Sequence, residues 1–168
     1  NGAIRIASAE DLSTGLVRAQ GTGALINVAV TGTGNTLTVA DDMNTAAITS
    51  GTSGTSGSIT LTTADGDVTI NTTKTVKTGA VSGLTAGTNA VAGAISVTAG
   101  STGTAAAIKG AGTSLLEVGT AAATGTDTAT GGNLTLTGDS VTDGAGAALN
   151  VKIGVASGGA SQTQGKLI

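Results

Sequence analysis

Three short acidic runs are where chemistry would first be sought: Asp65-Gly66-Asp67, Asp139-Ser140-Val141-Thr142-Asp143 and the weaker pair Asp41-Asp42. Carboxylates at turn spacing offer oxygen ligands to calcium, which takes about 6 to 8 of them, arranged by a loop or a repeated turn. Asp65, Asp67, Asp139 and Asp143 are therefore the metal candidates, and calcium is the one cofactor the sequence leaves open. Neither a GGxGxD repeat nor an EF-hand loop is present, so the simpler reading makes them turn carboxylates. Two carboxylates facing each other across a sugar could hydrolyse a glycoside. Nothing in the pattern points to such a cleft, so no catalytic residue is assigned.

The residue types that are missing narrow the chemistry further. The chain has no His, Cys, Pro or aromatic residue. That removes an imidazole base, a Ser-His-Asp triad, a thiolate nucleophile or metal site, and any disulfide. Without aromatics there is no platform for stacking bases or sugars. A net charge of -3 gives no basic footprint for nucleic acid. No GxxxxGK[ST] occurs, and Lys109-Gly110-Ala111-Gly112 has the wrong order for a phosphate loop. The expectation is a protein that is not an enzyme and does not bind nucleic acid.

Two hydroxyl and amide patterns remain. Asn71-Thr72-Thr73 and Asn133-Leu134-Thr135 fit the Asn-x-Thr acceptor pattern, so Asn71 and Asn133 are glycosylation candidates. Thr-x-Thr recurs at Thr36-Leu37-Thr38, Thr60-Leu61-Thr62 and Thr135-Leu136-Thr137. A flat Thr array could order water and bind ice, but only if the repeats stack in register, which their uneven spacing does not support.

The elements that must carry these residues are strands. Aliphatic residues alternate with Thr, Ser, Asn, Arg5 or Ala29 around Ile4/Ile6, Ile26/Val28/Val30, Leu37/Val39, Ile59/Leu61, Val68/Ile70, Ile95/Val97 and Leu134/Leu136. This is the period-two pattern of a half-buried strand. Leu149, Val151, Ile153 and Val155 form the longest such set. Gly32 to Asn35 reads as a turn, GTSGTSG at residues 51–57 as a flexible loop, and Asp65-Gly66 as a tight hairpin turn. Helix is expected only at Ser8 to Ala19, with Ser8 as N-cap, and at Thr104 to Lys109. Thr, Ala and Gly make up just over half of the 168 residues, so the aliphatic core is thin and small methyl groups must fill it.

A small residue followed by aliphatic-x-aliphatic begins at Gly2, Gly23, Gly34, Gly57, Gly66, Gly93 and Gly132. A solenoid would show a steadier period. The irregularity favours an antiparallel β-sandwich or jelly roll of about eight or more strands, with a β-solenoid as the alternative. No apolar run is long enough for a transmembrane helix.

Residues 56–73 (SGSITLTTADGDVTINTT), 92–100 (AGAISVTAG) and 131–144 (GGNLTLTGDSVTDG) resemble the Thr/Ala/Gly-rich strands of prokaryotic surface proteins. Those include S-layer proteins, haemagglutinin-like passengers and subunits of extracellular filaments. The resemblance implies a structural or adhesive role outside the cell, at the cell surface, and supplies no catalytic residues.

Undefended strand edges extend that expectation to assembly. There is no Pro, and only 10% of residues are charged, whereas edges are usually blunted by both. Residues 1–20 read as an N-terminal arm that could donate a strand, and 21–168 as a single all-β domain. The start at Asn1 without Met is what a processed, exported chain would show. Ile4 and Ile6 at one end, and Leu167 and Ile168 at the other, are the expected subunit contacts. They would add a strand to a neighbour's sheet and build a homopolymer. The leading expectation is thus an extracellular filament subunit joined by strand complementation. The alternative is an adhesin or S-layer-type β-solenoid module, and a third reading is an ice-binding protein.

Overall fold

A computed structural model describes residues 2–52, 54–103, 105–143 and 149–168, with Asp143 described through its backbone alone. The chain winds through five coils. The first holds β1 (Ile4–Ser8), β2 (Leu12–Thr14) and β3 (Val17–Ala19), and the second β4 (Ile26–Val30), β5 (Leu37–Val39) and β6 (Met43–Thr45). The third holds β7 (Ile59–Thr63), β8 (Val68–Ile70), β9 (Thr75–Lys77) and β10 (Ala90–Val91). The fourth runs through β11 (Ile95–Thr98), β12 (Ala107–Gly110), β13 (Leu115–Glu117), β14 (Ala121–Ala123) and β15 (Thr128–Thr130). The fifth comprises β16 (Leu134–Thr137), β17 (Ser140–Asp143), β18 (Asn150–Lys152), β19 (Ala156–Gly158) and β20 (Ser161–Thr163).

Every pairing among these strands is parallel and joins one coil to the next. The antiparallel sandwich or jelly roll is therefore wrong, and the arrangement is that of a β-solenoid. Sheet A stacks β1-β4-β7-β11-β16, sheet B stacks β2-β5-β8-β12-β17, and sheet C stacks β3-β6-β9-β13-β18. The physical reason for the error lies in the glycine motif. Gly34 and Gly66 precede strands of sheet B, whereas the other five starts precede strands of sheet A. Once the two are set aside, a coil repeat appears. Twenty-two residues separate Ile4 from Ile26, 33 separate Ile26 from Ile59, 36 separate Ile59 from Ile95 and 39 separate Ile95 from Leu134.

Like residues stack along these registers. Ile4, Ile26, Ile59, Ile95 and Leu134 form one inward column, and Ile6, Val28, Leu61, Val97 and Leu136 a second. Sheet B adds Leu37, Val68 and Ile108, and sheet C adds Met43, Val76 and Leu116, all fully buried in one core. Each such side chain contributes about 1.5–3 kcal/mol by leaving water.

From the second coil onward the chain also makes a second, thinner lobe. Its walls are β14-β19 on one side and β10-β15-β20 on the other. Its core is mostly alanine (Ala90, Ala92, Ala121, Ala123, Ala129, Ala156) with Ile48 and Val81. The two lobes meet at a waist built from two glycine ladders. A Cβ on Gly57, Gly93, Gly132 or Gly165 would collide with the carbonyl oxygen of Ala24, Gly57, Gly93 or Gly132 respectively. Gly79, Gly119 and Gly154 stack on Ala46, Gly79 and Gly119 in the same way. Each ladder starts from an alanine in the second coil, next to a first coil that has no second lobe and so no waist. Thr45 and Thr78 bridge the waist: Thr45 Oγ1 donates to Gly57 O (3.0 Å) and accepts from Gly79 N (2.9 Å), and Thr78 Oγ1 donates to Gly93 O (2.9 Å) and accepts from Gly119 N (2.9 Å).

Several local expectations change with the fold. Ser8 to Ala19 forms no helix; it contains β2, β3 and the corners around them. Thr104 lies outside the described residues, and the rest of that helix candidate leads into β12. Asp65-Gly66 is a corner between sheets A and B, because β7 and β8 belong to different sheets. In the 51–57 segment, Ser53 lies outside the described residues, while Gly51 and Thr55 pair with Leu84 and Val91 in the second lobe. Leu149 to Val155 carries only the short β18; Ile153 and Val155 lie beyond it, exposed.

Candidate functional site

The corners use their polar side chains in one repeated way. The residue immediately before a strand turns its oxygen toward the next coil and accepts a hydrogen bond from its own register partner there. Asp11 Oδ1 accepts from Thr36 N (2.7 Å), Asp42 Oδ1 from Thr75 N (3.0 Å) and Ser58 Oγ from Ala94 N (3.0 Å). Asp67 Oδ1 accepts from Ala107 N (2.7 Å), Asn89 Oδ1 from Thr128 N (2.9 Å) and Asn133 Oδ1 from Lys166 N (3.0 Å). At these corners a short polar side chain supplies the acceptor for a backbone amide of the next coil.

Of the metal candidates Asp67 follows this scheme, whereas Asp65 accepts from the preceding coil. Asp65 Oδ1 accepts from Gly34 N, and Asp67 holds both the Ala107 amide and the Lys109 ammonium. Burial raises the Asp67 carboxyl, but Lys109 and the Ala107 amide outweigh it and hold it below the ordinary range. Asp67 and Asp139 line one shallow, open cavity of about 200 Å³ with Ala105, Ala106, Ala107 and Ser140. The Asp143 side chain lies outside the described residues. Among the described residues no group of three or more His, Cys, Asp or Glu side chains is placed to hold a metal ion.

The other candidates are spread over the stack. Asn71 follows β8 at a corner, half-buried, and its carbonyl accepts from Lys74 N. Asn133 is exposed, with its amide oxygen taken by Lys166 N. Ile4 and Ile6 sit in β1, paired with β4 of the same chain and packed on the main core. Leu167 pairs with Leu134 and, like Ile168, stays exposed (53% and 64%). Ile4 and Ile6 thus lie at the opposite end of the stack from Leu167 and Ile168.

Charge is confined to certain faces. The outward column of sheet C reads Arg18, Asn44, Lys77, Glu117, Lys152. Glu117 binds Lys152 at 2.8 Å and Lys77 at 3.1 Å. Burial raises its carboxyl, and the two lysines bring it below the usual value. Lys74 meets Asp41 at 3.0 Å, and that hydrogen bond lowers the Asp41 carboxyl. Sheet B carries Lys109 outward.

Sheet A differs. Its two outward columns read Arg5, Asn27, Thr60, Ser96, Thr135 and Ala7, Ala29, Thr62, Thr98, Thr137. Both are free of charge from the second coil to the fifth. Thr60/Thr62, Ser96/Thr98 and Thr135/Thr137 therefore stand in register on three adjacent strands, correcting the expectation that uneven spacing keeps them apart. Thr36 and Thr38 flank Leu37 at sheet B and take no part. Sequence reasoning missed Asp11, Asp42, Ser58 and Asn89 as corner acceptors. The readable signal was a polar residue directly before the first inward aliphatic or alanine.

The chain is similar to no family model, no curated protein and no solved structure. Among the described residues, no helix is long and apolar enough to cross a membrane.

Proposed function

We propose that the chain is a non-enzymatic β-solenoid module of an extracellular surface protein of the adhesin or S-layer type. One observation carries this reading: five parallel coils in continuous register, with their corner carboxylates spent on cross-coil hydrogen bonds. A stack built this way offers a partner its shape and its outer faces. The partners are the cell surface, other cells or further copies of the protein.

The filament joined by donated strands is less well supported. A donor strand must lie in a neighbour's sheet, whereas β1 is paired with β4 in its own chain and Ile4 and Ile6 rest on their own core. Brief protease treatment of intact source cells tests the proposed location. Release of peptides from the corners, without cell lysis, is the expected result. Recovery of the chain only from inside lysed cells would overturn it. Small-angle scattering of the purified chain, read alongside, should give the profile of a single folded stack.

A further inference from the structure

We infer that the outward face of sheet A is an ice-binding surface, formed by six registered hydroxyls on three adjacent strands: Thr60, Thr62, Ser96, Thr98, Thr135 and Thr137. The inference deepens the surface-module reading and rests on it, because it needs this face to be free in the mature protein.

Spacing is the first argument. Parallel strands lie about 4.7–4.9 Å apart, and outward residues two apart along a strand are separated by about 6.6 Å. The six hydroxyls therefore occupy a nearly rectangular grid with repeats of about 4.8 Å across the strands and about 6.6 Å along them, the few-ångström scale on which the water molecules of an ice surface also repeat. Five of the six are threonines. Their β-branched side chains are stiff about the first torsion, and stacking on neighbours of the same type fixes them further. Each of the five threonine hydroxyls is then held beside a methyl group, so water over the face meets a fixed pattern of both.

The second argument is that the hydroxyls are unused. Among the described residues none of the six bonds to another protein group. The hydroxyls at the corners and the waist behave in the opposite way: Ser58 accepts from Ala94 N, and those of Thr45 and Thr78 each both donate and accept. Hydroxyl content alone does not explain this partition, since the same residue types are engaged at one place and free at the other.

Charge is the third. The outward column of sheet C carries Arg18, Lys77, Glu117 and Lys152, and that of sheet B carries Lys109. Ionised groups hold their own hydration shells and impose an orientation that an ice lattice does not share. The two columns of sheet A are uncharged from the second coil to the fifth; above the six hydroxyls they continue as Asn27 and Ala29, and a charge enters only with Arg5 in the first coil.

The test uses the purified chain and the slow growth of ice from dilute solution, read as the fraction of protein incorporated and as the thermal hysteresis of a single crystal. The wild-type chain is expected to enter the ice and to facet the crystal. Thr98→Tyr, at the centre of the grid, is expected to reduce incorporation at least tenfold with an unchanged melting midpoint. Thr69→Tyr, on the outward column of sheet B, is expected to leave it unchanged. Ser96→Thr completes the array and should increase hysteresis, which keeps the inference testable if the tyrosine variant does not fold. Exclusion of the wild-type chain from ice, equal losses from both tyrosine variants, or a fall with Ser96→Thr would each overturn the inference. Small-angle scattering on the same samples separates the two levels of argument. A folded stack excluded from ice refutes the face alone, whereas a profile that does not fit the stack refutes the module as well.

Discussion

Gly93→Ala is the sharpest probe of the waist. Gly93 is not among the glycines with positive φ, so the cost of a side chain there comes mainly from contact. A Cβ there meets the carbonyl group of Gly57 and, at 2.9 Å, the carbonyl oxygen of Ser56. All of these are backbone atoms and none can rotate away. Forcing an extra carbon into a packed site costs about 1–3 kcal/mol. The shift it demands also strains two hydrogen bonds, Gly93 N to Ser56 Oγ (2.8 Å) and Thr78 Oγ1 to Gly93 O (2.9 Å), each contributing about 1 kcal/mol. The expected loss is about 3–5 kcal/mol, a large share of the roughly 5–15 kcal/mol typical of a domain. Equilibrium urea unfolding followed by far-ultraviolet circular dichroism measures it. Gly125→Ala serves as the comparison: its φ of +59° is unfavourable to alanine, but nothing lies within 4 Å, so about 1–2 kcal/mol is expected. If Gly93→Ala proves no more harmful than Gly125→Ala, the close-approach account of the waist is wrong.

Acid should loosen the ion-paired groups at Asp67 and Glu117. Asp67 and Glu117 are both held below their ordinary values of 3.8 and 4.5, so their stabilising effect is present above those values and is lost as pH falls through the lowered, folded-state ones. A urea midpoint that stays flat from pH 5 to about pH 2 in the wild type would contradict this, and Glu117→Gln should flatten part of the slope at a cost of up to about 1 kcal/mol near neutral pH. Thr14 Oγ1 is buried without a partner, so Thr14→Val should raise stability by about 1 kcal/mol in the same urea assay, and a loss would mean that the hydroxyl is satisfied. Calcium at millimolar concentration should leave the melting midpoint of the wild-type chain unchanged, because Asp65 and Asp67 already serve as acceptors; a rise of several degrees would restore the metal reading.

The parts of the fold that were readable in the sequence are the longer strands. β4, β7 and β11 each bury two or three alternating aliphatics, and β16 buries Leu134 with Leu136 half-buried beside it, enough to set a period. β9, β13 and β15 bury a single side chain each, Val76, Leu116 and Ala129, and one residue defines no alternation. Strand direction was also hidden. Alternation tells which side chains face inward, and it is the same for an antiparallel sandwich and for one wall of a parallel coil. The coil repeat was obscured because two walls of the same coil both begin with Gly before an aliphatic pair, at Gly57 and Gly66 in the third. The hydroxyl grid became visible only when coils of unequal length were aligned, so Thr60 and Ser96 looked unrelated at 36 residues apart. The corner acceptors were visible as residues and obscure as roles, since Asp67 reads identically in a turn, a calcium loop or a cross-coil bond.

The unequal coils have a geometric consequence. Ile4 to Ile26 spans 22 residues and Ile95 to Leu134 spans 39, yet each turn advances the stack by one strand spacing, about 4.8 Å. Added residues enlarge the girth and leave the pitch alone. Length changes in the second lobe or at the corners therefore shift no strand of sheet A relative to its neighbours. In this architecture, insertions and deletions are absorbed sideways, and the spacing of the outer face is insulated from them.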